Sequence, residues 1–386
     1  MKKWSILLLA LVSFWMSEAQ QVNFRKLTWQ EANELAAQEN KYIFVDAYTE
    51  WCGWCKVMDK EMFTDPAVFP FINENFIPMK IDFEDTLGIL LSMKFRVWAY
   101  PTTMIFNPQG QYIGRISGYN EDHGAYLASL KKFTEIKEDK VFGYDSHVLD
   151  PAYPEFYVKS FGKGKREWPK QDEVTTYLKA QPDLYSEVSW SVILRFHPKE
   201  YLDYVIENRE EYIGRYGKEE VTEIIQYYIF NIMQDAVKLT DRAMLDKALK
   251  LCDYMDDPES FRFYIMMAYY EQTKDWPAFT GELGSYISRN GYEFPGYINN
   301  YCWMIYENVD DREILLKAVE WMKKVIEVQP ISFNLDTYAA LLYKTGDLEE
   351  ADNYADQAIE AAKKEGQDYS STKELKEKIR KAKKEK

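Results

Sequence analysis

Two cysteines three residues apart, Cys52 and Cys55, are the side chains in this sequence best suited to covalent chemistry. The run before them, Tyr42 to Tyr48, is rich in β-formers and reads as a strand. The run after them reads as a helix. At a helix start, residues i and i+3 share a face, so the two thiols can close a disulfide and open it again. Cys52 falls at the helix amino terminus, where free N–H groups and the macrodipole favour an anion. Its thiol pKa is expected to fall, and the thiolate is the nucleophile of disulfide exchange. Cys55 lies one turn deeper, where it can attack a mixed disulfide. Structural zinc needs four ligands, and neither a second C-x-x-C nor a paired His lies nearby. A permanently closed structural disulfide is the other alternative to a redox pair. No metal or organic cofactor is implied.

The elements that must position this pair follow along the chain. Thr28-Trp29-Gln30-Glu31 is a capping box opening a helix to about Glu39. Asp65-Pro66 restarts a helix to about Glu74, and Phe76 to Phe83 reads as a second strand. Leu87 to Phe95 is helical, and Thr102 to Phe106 is a third strand preceded by Tyr100-Pro101. Asn107-Pro108-Gln109-Gly110 is a turn into a strand from Tyr112 to Ile116, and Glu121 to Phe133 closes as a helix. Strands alternating with helices predict an α/β domain.

Trp51-Cys52-Gly53-Trp54-Cys55-Lys56 after a strand, with Tyr100-Pro101-Thr102 before a later one, resembles thioredoxin over about residues 22–135. The run from Val57 to Asp65-Pro66 is most similar to an exported, thioredoxin-related subfamily. The resemblance implies that Cys52 attacks, Cys55 resolves, and Pro101 is a cis-proline facing the disulfide. It further implies that Asp46 is a buried carboxylate beneath the active-site helix, paired with Lys80. A desolvated carboxylate has a raised pKa and can take the Cys55 proton through water. Trp51 is expected to pack beside the site. Trp54 is expected to be exposed, and Trp51, Trp54 and Tyr100 are expected to contact substrate. Gly-Trp replaces thioredoxin's Gly-Pro between the cysteines, and Tyr100 replaces the usual aliphatic residue. The redox potential therefore does not carry over.

Composition frames the rest. The chain has 386 residues, 46% hydrophobic, enough for two or three domains. Its net charge of −15 argues against nucleic acid as the main partner. Lys2 and Lys3, the apolar run Trp4 to Met16 and Ser17-Glu18-Ala19 read as a signal peptide over residues 1–19. No cysteine lies near the cut, and no other long apolar run appears, so a mature chain without a membrane span is expected, in the periplasm or secreted. Residues 20–137 form the thioredoxin-like domain and 138–182 a connector. The Gly162-Lys163-Gly164-Lys165 stretch in it is a solvated loop.

Residues 183–386 read as helical, with repeats of roughly 34 residues at the end. Leu335, Tyr338, Ala339, Leu342, Gly346, Ala351, Ala355 and Ala358 fall where a tetratricopeptide repeat places its core and turn residues. A preceding unit matches from Tyr301 to Pro330, and a weaker one from Phe261 to Ile287. Leu375, Ile379 and Ala382 form the apolar stripe of a basic capping helix. Cys252 and Cys302 fall at core offsets and are expected to be unpaired thiols. The fold expected is an α/β thioredoxin-like amino-terminal domain followed by an all-α helical-repeat (TPR-like) domain.

The function expected is an exported thiol–disulfide reductase or isomerase. It would act on protein disulfides, be served by an upstream redox partner, and use the helical part for docking. The rival class is a TPR-like binding or scaffold protein in which the thiol pair is secondary.

Overall fold

The computed structural model describes residues 21–136, 145–162, 164 and 166–385. The signal-peptide segment, Lys163 and Lys165 lie outside the described residues. The chain divides into two compact units, residues 1–224 and 225–386. Among the described residues, no helix is long and apolar enough to cross a membrane.

Thr28 caps the first helix through the expected reciprocal pair, its side chain accepting from the Glu31 N–H while the Glu31 carboxylate accepts from the Thr28 N–H. The elements then run α1 (Trp29–Glu39), β1 (Tyr42–Tyr48), α2 (Gly53–Lys60), α3 (Val68–Asn75), β2 (Phe76–Asp82), α4 (Thr86–Phe95), β3 (Thr102–Phe106), β4 (Tyr112–Ser117) and α5 (His123–Glu135). The sheet order is β2-β1-β3-β4. β1 runs parallel to β2 and antiparallel to β3, and β3 is antiparallel to β4. Phe44, Ile105 and Ile113 from the sheet pack with Met58, Met62, Phe63, Ile72, Tyr126 and Leu130 from the helical layer. A core of this kind fixes α2, and with it the cysteines, against the sheet.

Gly88 has a local steric reason. A Cβ added there would lie 2.1 Å from the Asp82 carbonyl oxygen. Only glycine lets α4 come this close to the end of β2.

Short helices follow within the same unit: α6 (Glu155–Lys159), α7 (Gln171–Lys179), α8 (Glu187–Phe196), α9 (Lys199–Glu207) and α10 (Arg209–Tyr216), then the start of α11 (Lys218–Leu239). They join the α/β part through buried polar contacts. Lys94 Nζ donates to Glu187, and the Arg96 guanidinium makes a bidentate pair with Glu220. Tyr157 donates its hydroxyl to the Met93 carbonyl, and the Ser146 hydroxyl accepts from the Tyr112 N–H.

The second unit is all helix: the rest of α11, then α12 (Arg242–Leu251), α13 (Pro258–Thr273), α14 (Trp276–Asn290), α15 (Pro295–Asn308), α16 (Arg312–Val328), α17 (Ser332–Thr345), α18 (Leu348–Glu365) and α19 (Ser370–Glu385). From α13 on, each helix packs on the next, and α14 on α16, α15 on α17 and α17 on α19. Contact with the next helix and the next but one is the pattern of stacked helical repeats. The small residues Ala339, Ala351, Ala355 and Ala358 are buried in it, as are Leu375 and Ile379 of α19. Cys252 and Cys302 are buried and free.

Candidate active site

Cys52 is the N-cap of α2, and its Sγ accepts from the Cys55 N–H at 3.0 Å. The two cysteines are joined as a disulfide and both are buried. The first sulfur is thus the side chain that satisfies a free donor at a helix amino terminus. A thiolate there gains a charge-assisted hydrogen bond and the favourable end of the macrodipole. The Tyr100–Pro101 peptide bond is cis.

Asp46 lies in the register of β1 opposite Lys80 of β2 and Thr103 of β3. Its carboxylate is buried and accepts from Lys80 Nζ at 2.7 Å. The same ammonium donates to Asp59 of α2. Lys80 therefore ties the strand bearing Asp46 to the helix bearing Cys55, one turn before Asp59. Burial pushes the Asp46 carboxyl up to about 6, against the opposing pull of Lys80. Burial pulls the Lys80 ammonium down, but Asp46 and Asp59 outweigh it, and its pKa is raised. Its charge also lies over the Tyr48 ring, 4.7 Å from the centroid.

Trp51 lies edge-on to Tyr100 with ring centroids 6.0 Å apart, its indole N–H donating to Glu84. Yet it is 64% exposed, as open as Trp54 at 60%. Packing against Tyr100 covers one edge and leaves the ring face to solvent. Trp54 is stacked on Tyr119, whose hydroxyl donates to Glu61. Tyr100 is half-buried and touches Phe83 on its other side.

Asp59, Glu84 and Tyr119 also belong to this site. Asp59 has a local signal in the sequence, because it stands four residues after Cys55 on the same helix face. Glu84 and Tyr119 reach the site from distant segments and carry no local signal. Among the described residues, no group of His, Cys, Asp and Glu is arranged to hold a metal.

Residues 8–113 match the family described as "Thioredox_DsbH: Protein of unknown function, DUF255". The amino-terminal domain is thioredoxin-like. That match covers under a third of the chain. An uncharacterized protein of Caenorhabditis elegans is 41% identical over 56 residues, 14% of this chain and 8% of that protein. The thiol:disulfide interchange protein DsbD of Photorhabdus laumondii is 29% identical over 103 residues, 25% of this chain and 18% of its own. The solution structure of a candidate disulphide isomerase from Bacteroides thetaiotaomicron is 34% identical, covering 32% of this chain and all of that one, at a TM-score of 0.28. This chain spans less than a fifth of the length of the first two curated relatives.

The raised Asp46 pKa has a stability consequence. Its folded pKa, about 6, lies above the ordinary aspartate value, so the folded state holds this proton more tightly. The penalty for ionising it is absent below about pH 4, grows between 4 and 6, and is complete above 6. Asp46→Asn is therefore expected to stabilise the protein by about 1–3 kcal/mol at pH 8 and by almost nothing near pH 4. Urea melts at the two pH values test it, and an equal effect at both would disprove the assignment.

Proposed function

We propose that this chain is a thiol–disulfide oxidoreductase working through Cys52 and Cys55. The observation that carries the reading is the N-cap position of Cys52, with its sulfur already accepting a helix N–H. In the proposed reaction the Cys52 thiolate attacks one sulfur of a substrate disulfide and the other sulfur leaves as a thiolate. Cys55 gives its proton, by way of water, to Asp46 and attacks Cys52 Sγ in the mixed disulfide. The second substrate thiolate departs and takes up a proton. Two electrons have then passed to the substrate, and Cys52–Cys55 is a disulfide again. Lys80, itself anchored by Asp59, holds the Asp46 carboxylate in place.

The preferred duty is reductase or isomerase on protein disulfides, with an upstream dithiol partner restoring the reduced pair. The direction is set by that partner. Export follows from the reading of residues 1–19, and the compartment proposed is the periplasm or the cell exterior. The helical stack is proposed to bind a protein partner. Fifteen tyrosines lie between Tyr201 and Tyr306, and most are buried or half-buried packing residues. Tyr227, Tyr264 and Tyr297 are exposed.

The test is equilibration of the full chain in glutathione buffers, read by Trp51 and Trp54 fluorescence and by thiol trapping. A reversible two-electron transition between roughly −120 and −270 mV, the span of thioredoxin-fold proteins, is expected. A pair that stays oxidised under excess dithiothreitol without unfolding would mark a structural disulfide and end this reading.

A further inference from the structure

Arg195 of α8 is 8% exposed, yet among the described residues no carboxylate pairs with it. Its Nε donates to the Ser160 hydroxyl and its Nη2 to the Ser160 carbonyl. These bonds use two of the five N–H donors of a guanidinium. The rest of its surroundings are aromatic faces, with Phe161 at 4.4 Å, Trp168 at 4.7 Å and Trp98 at 5.5 Å from ring centroid to Cζ. Burial pulls its pKa below the ordinary arginine value. Lys94 and Arg96, the other buried cations among the described residues of this unit, each have a carboxylate partner. A buried cation left without one is costly unless something else supplies the charge.

Arg195 opens onto a small cavity that it shares with Phe83, Trp98, Tyr100, Phe161 and Arg166. Arg166 is exposed and has no ion-pair partner among the described residues. The cavity has room for about one water-sized atom group, such as one oxygen of a carboxylate reaching in from its open side. It adjoins the redox site through Tyr100, whose ring meets that of Trp51, the residue before Cys52. Two arginines, no acid among the described lining residues and a small space near the cysteine pair make a binding place for an anionic group carried by the substrate.

We propose that this cavity is a carboxylate-binding subsite, which orients disulfides bearing an acidic group next to Cys52. It rests on the oxidoreductase reading. The carboxylate could belong to a low-molecular-weight disulfide or to an acidic side chain beside a protein cystine, and the two sources are separable. Guanidinium–carboxylate pairing is favoured in such a desolvated site because it is charge-assisted and can be bidentate. The whole chain carries a charge of −15, so its long-range field repels an anionic substrate. A preference for one must therefore be local.

The experiment uses the reduced full chain and compares second-order rate constants for 3,3′-dithiodipropionate and for neutral 2-hydroxyethyl disulfide. A second arm compares two cystine peptides that differ by Glu or Gln beside the cystine. The wild type is expected to favour the carboxylate-bearing member by about tenfold in at least one arm, the scale of a charge-assisted pair. That arm names the source. The ratio is expected to fall toward one in Arg166→Gln, a surface change that leaves the core intact, and in Arg195→Gln if it folds. No preference in either arm, or a preference unmoved by Arg166→Gln in a folded protein, overturns the subsite. Failure to reduce any of the four disulfides would overturn the oxidoreductase reading itself.

Discussion

Cys52→Ser is expected to lower the rate of disulfide reduction on the order of 10³-fold or more, the scale on which a covalent nucleophile is missed. Cys55→Ser is expected to block turnover too, but by a different route. It keeps the attacking thiol and removes the resolving one, so mixed disulfides through Cys52 should accumulate and survive non-reducing electrophoresis. The asymmetry has a structural cause. Cys52 caps α2 and accepts the Cys55 N–H at 3.0 Å, whereas Cys55 sits inside the helix, where the N–H groups are already committed. The helix terminus stabilises an anion on the first sulfur and does little for the second. Lys56 adds a cation next to the pair in sequence. Trapping in Cys52→Ser in place of Cys55→Ser would reverse the two roles. Trapping in neither would leave the dithiol without an exchange function.

Much of this site is legible in the sequence because its determinants are local. The strand Tyr42–Tyr48 and the strand Thr102–Phe106 have the bounds that β-branched and aromatic runs predict. The capping box fixes the start of α1, and the Cys-x-x-Cys spacing fixes the sulfur that caps α2. Boundaries drift where the signal is weaker. The helix expected from Asp65-Pro66 begins at Val68, because Asp65 first spends its carboxylate on the Ala67 and Val68 N–H groups as a turn. Trp51 reads as a packing residue, but a single edge contact to Tyr100 leaves it open. What the sequence conceals is long-range. Nothing in the sequence singles out Lys94 and Arg96, and both are buried, Lys94 at 0% and Arg96 at 1% exposure. Their partners stand 93 and 124 residues away, beyond any periodicity that a single chain displays. The unpaired Arg195 is hidden for the same reason, since its neighbours Trp98 and Ser160 come from separate segments.

Those buried charges lead to the other large effect. Glu220 accepts from Arg96 Nε and Nη2 at 2.7 to 3.0 Å and from the Trp190 indole N–H at 2.9 Å. Arg96 also spends Nη1 on the Lys94 carbonyl, and Arg115 donates to the Phe95 and Arg96 carbonyls. The whole assembly closes the carboxyl end of α4, where Arg96 adopts a left-handed conformation, and the chain then runs through Trp98 to Tyr100-Pro101. Glu220→Ala leaves a guanidinium and an indole N–H buried without their acceptor. The expected loss is about 3–5 kcal/mol, the cost of breaking a buried pair from one side. That is a large part of the 5–15 kcal/mol that typically holds a domain together. Glu219→Ala is the control. Its carboxylate is mostly exposed and stands 3.7 Å from Arg115, so its removal should cost at most about 1 kcal/mol. Urea melts followed by the fluorescence of buried Trp190 compare the two. Equal costs would mean that Arg96 is re-solvated when Glu220 is removed, and that α8 and α11 do not clamp the segment leading to the cis-proline. Unequal costs in the expected order, with slower disulfide exchange in Glu220→Ala below its melting range, would tie the helices after the thioredoxin-like domain to the geometry of its dithiol.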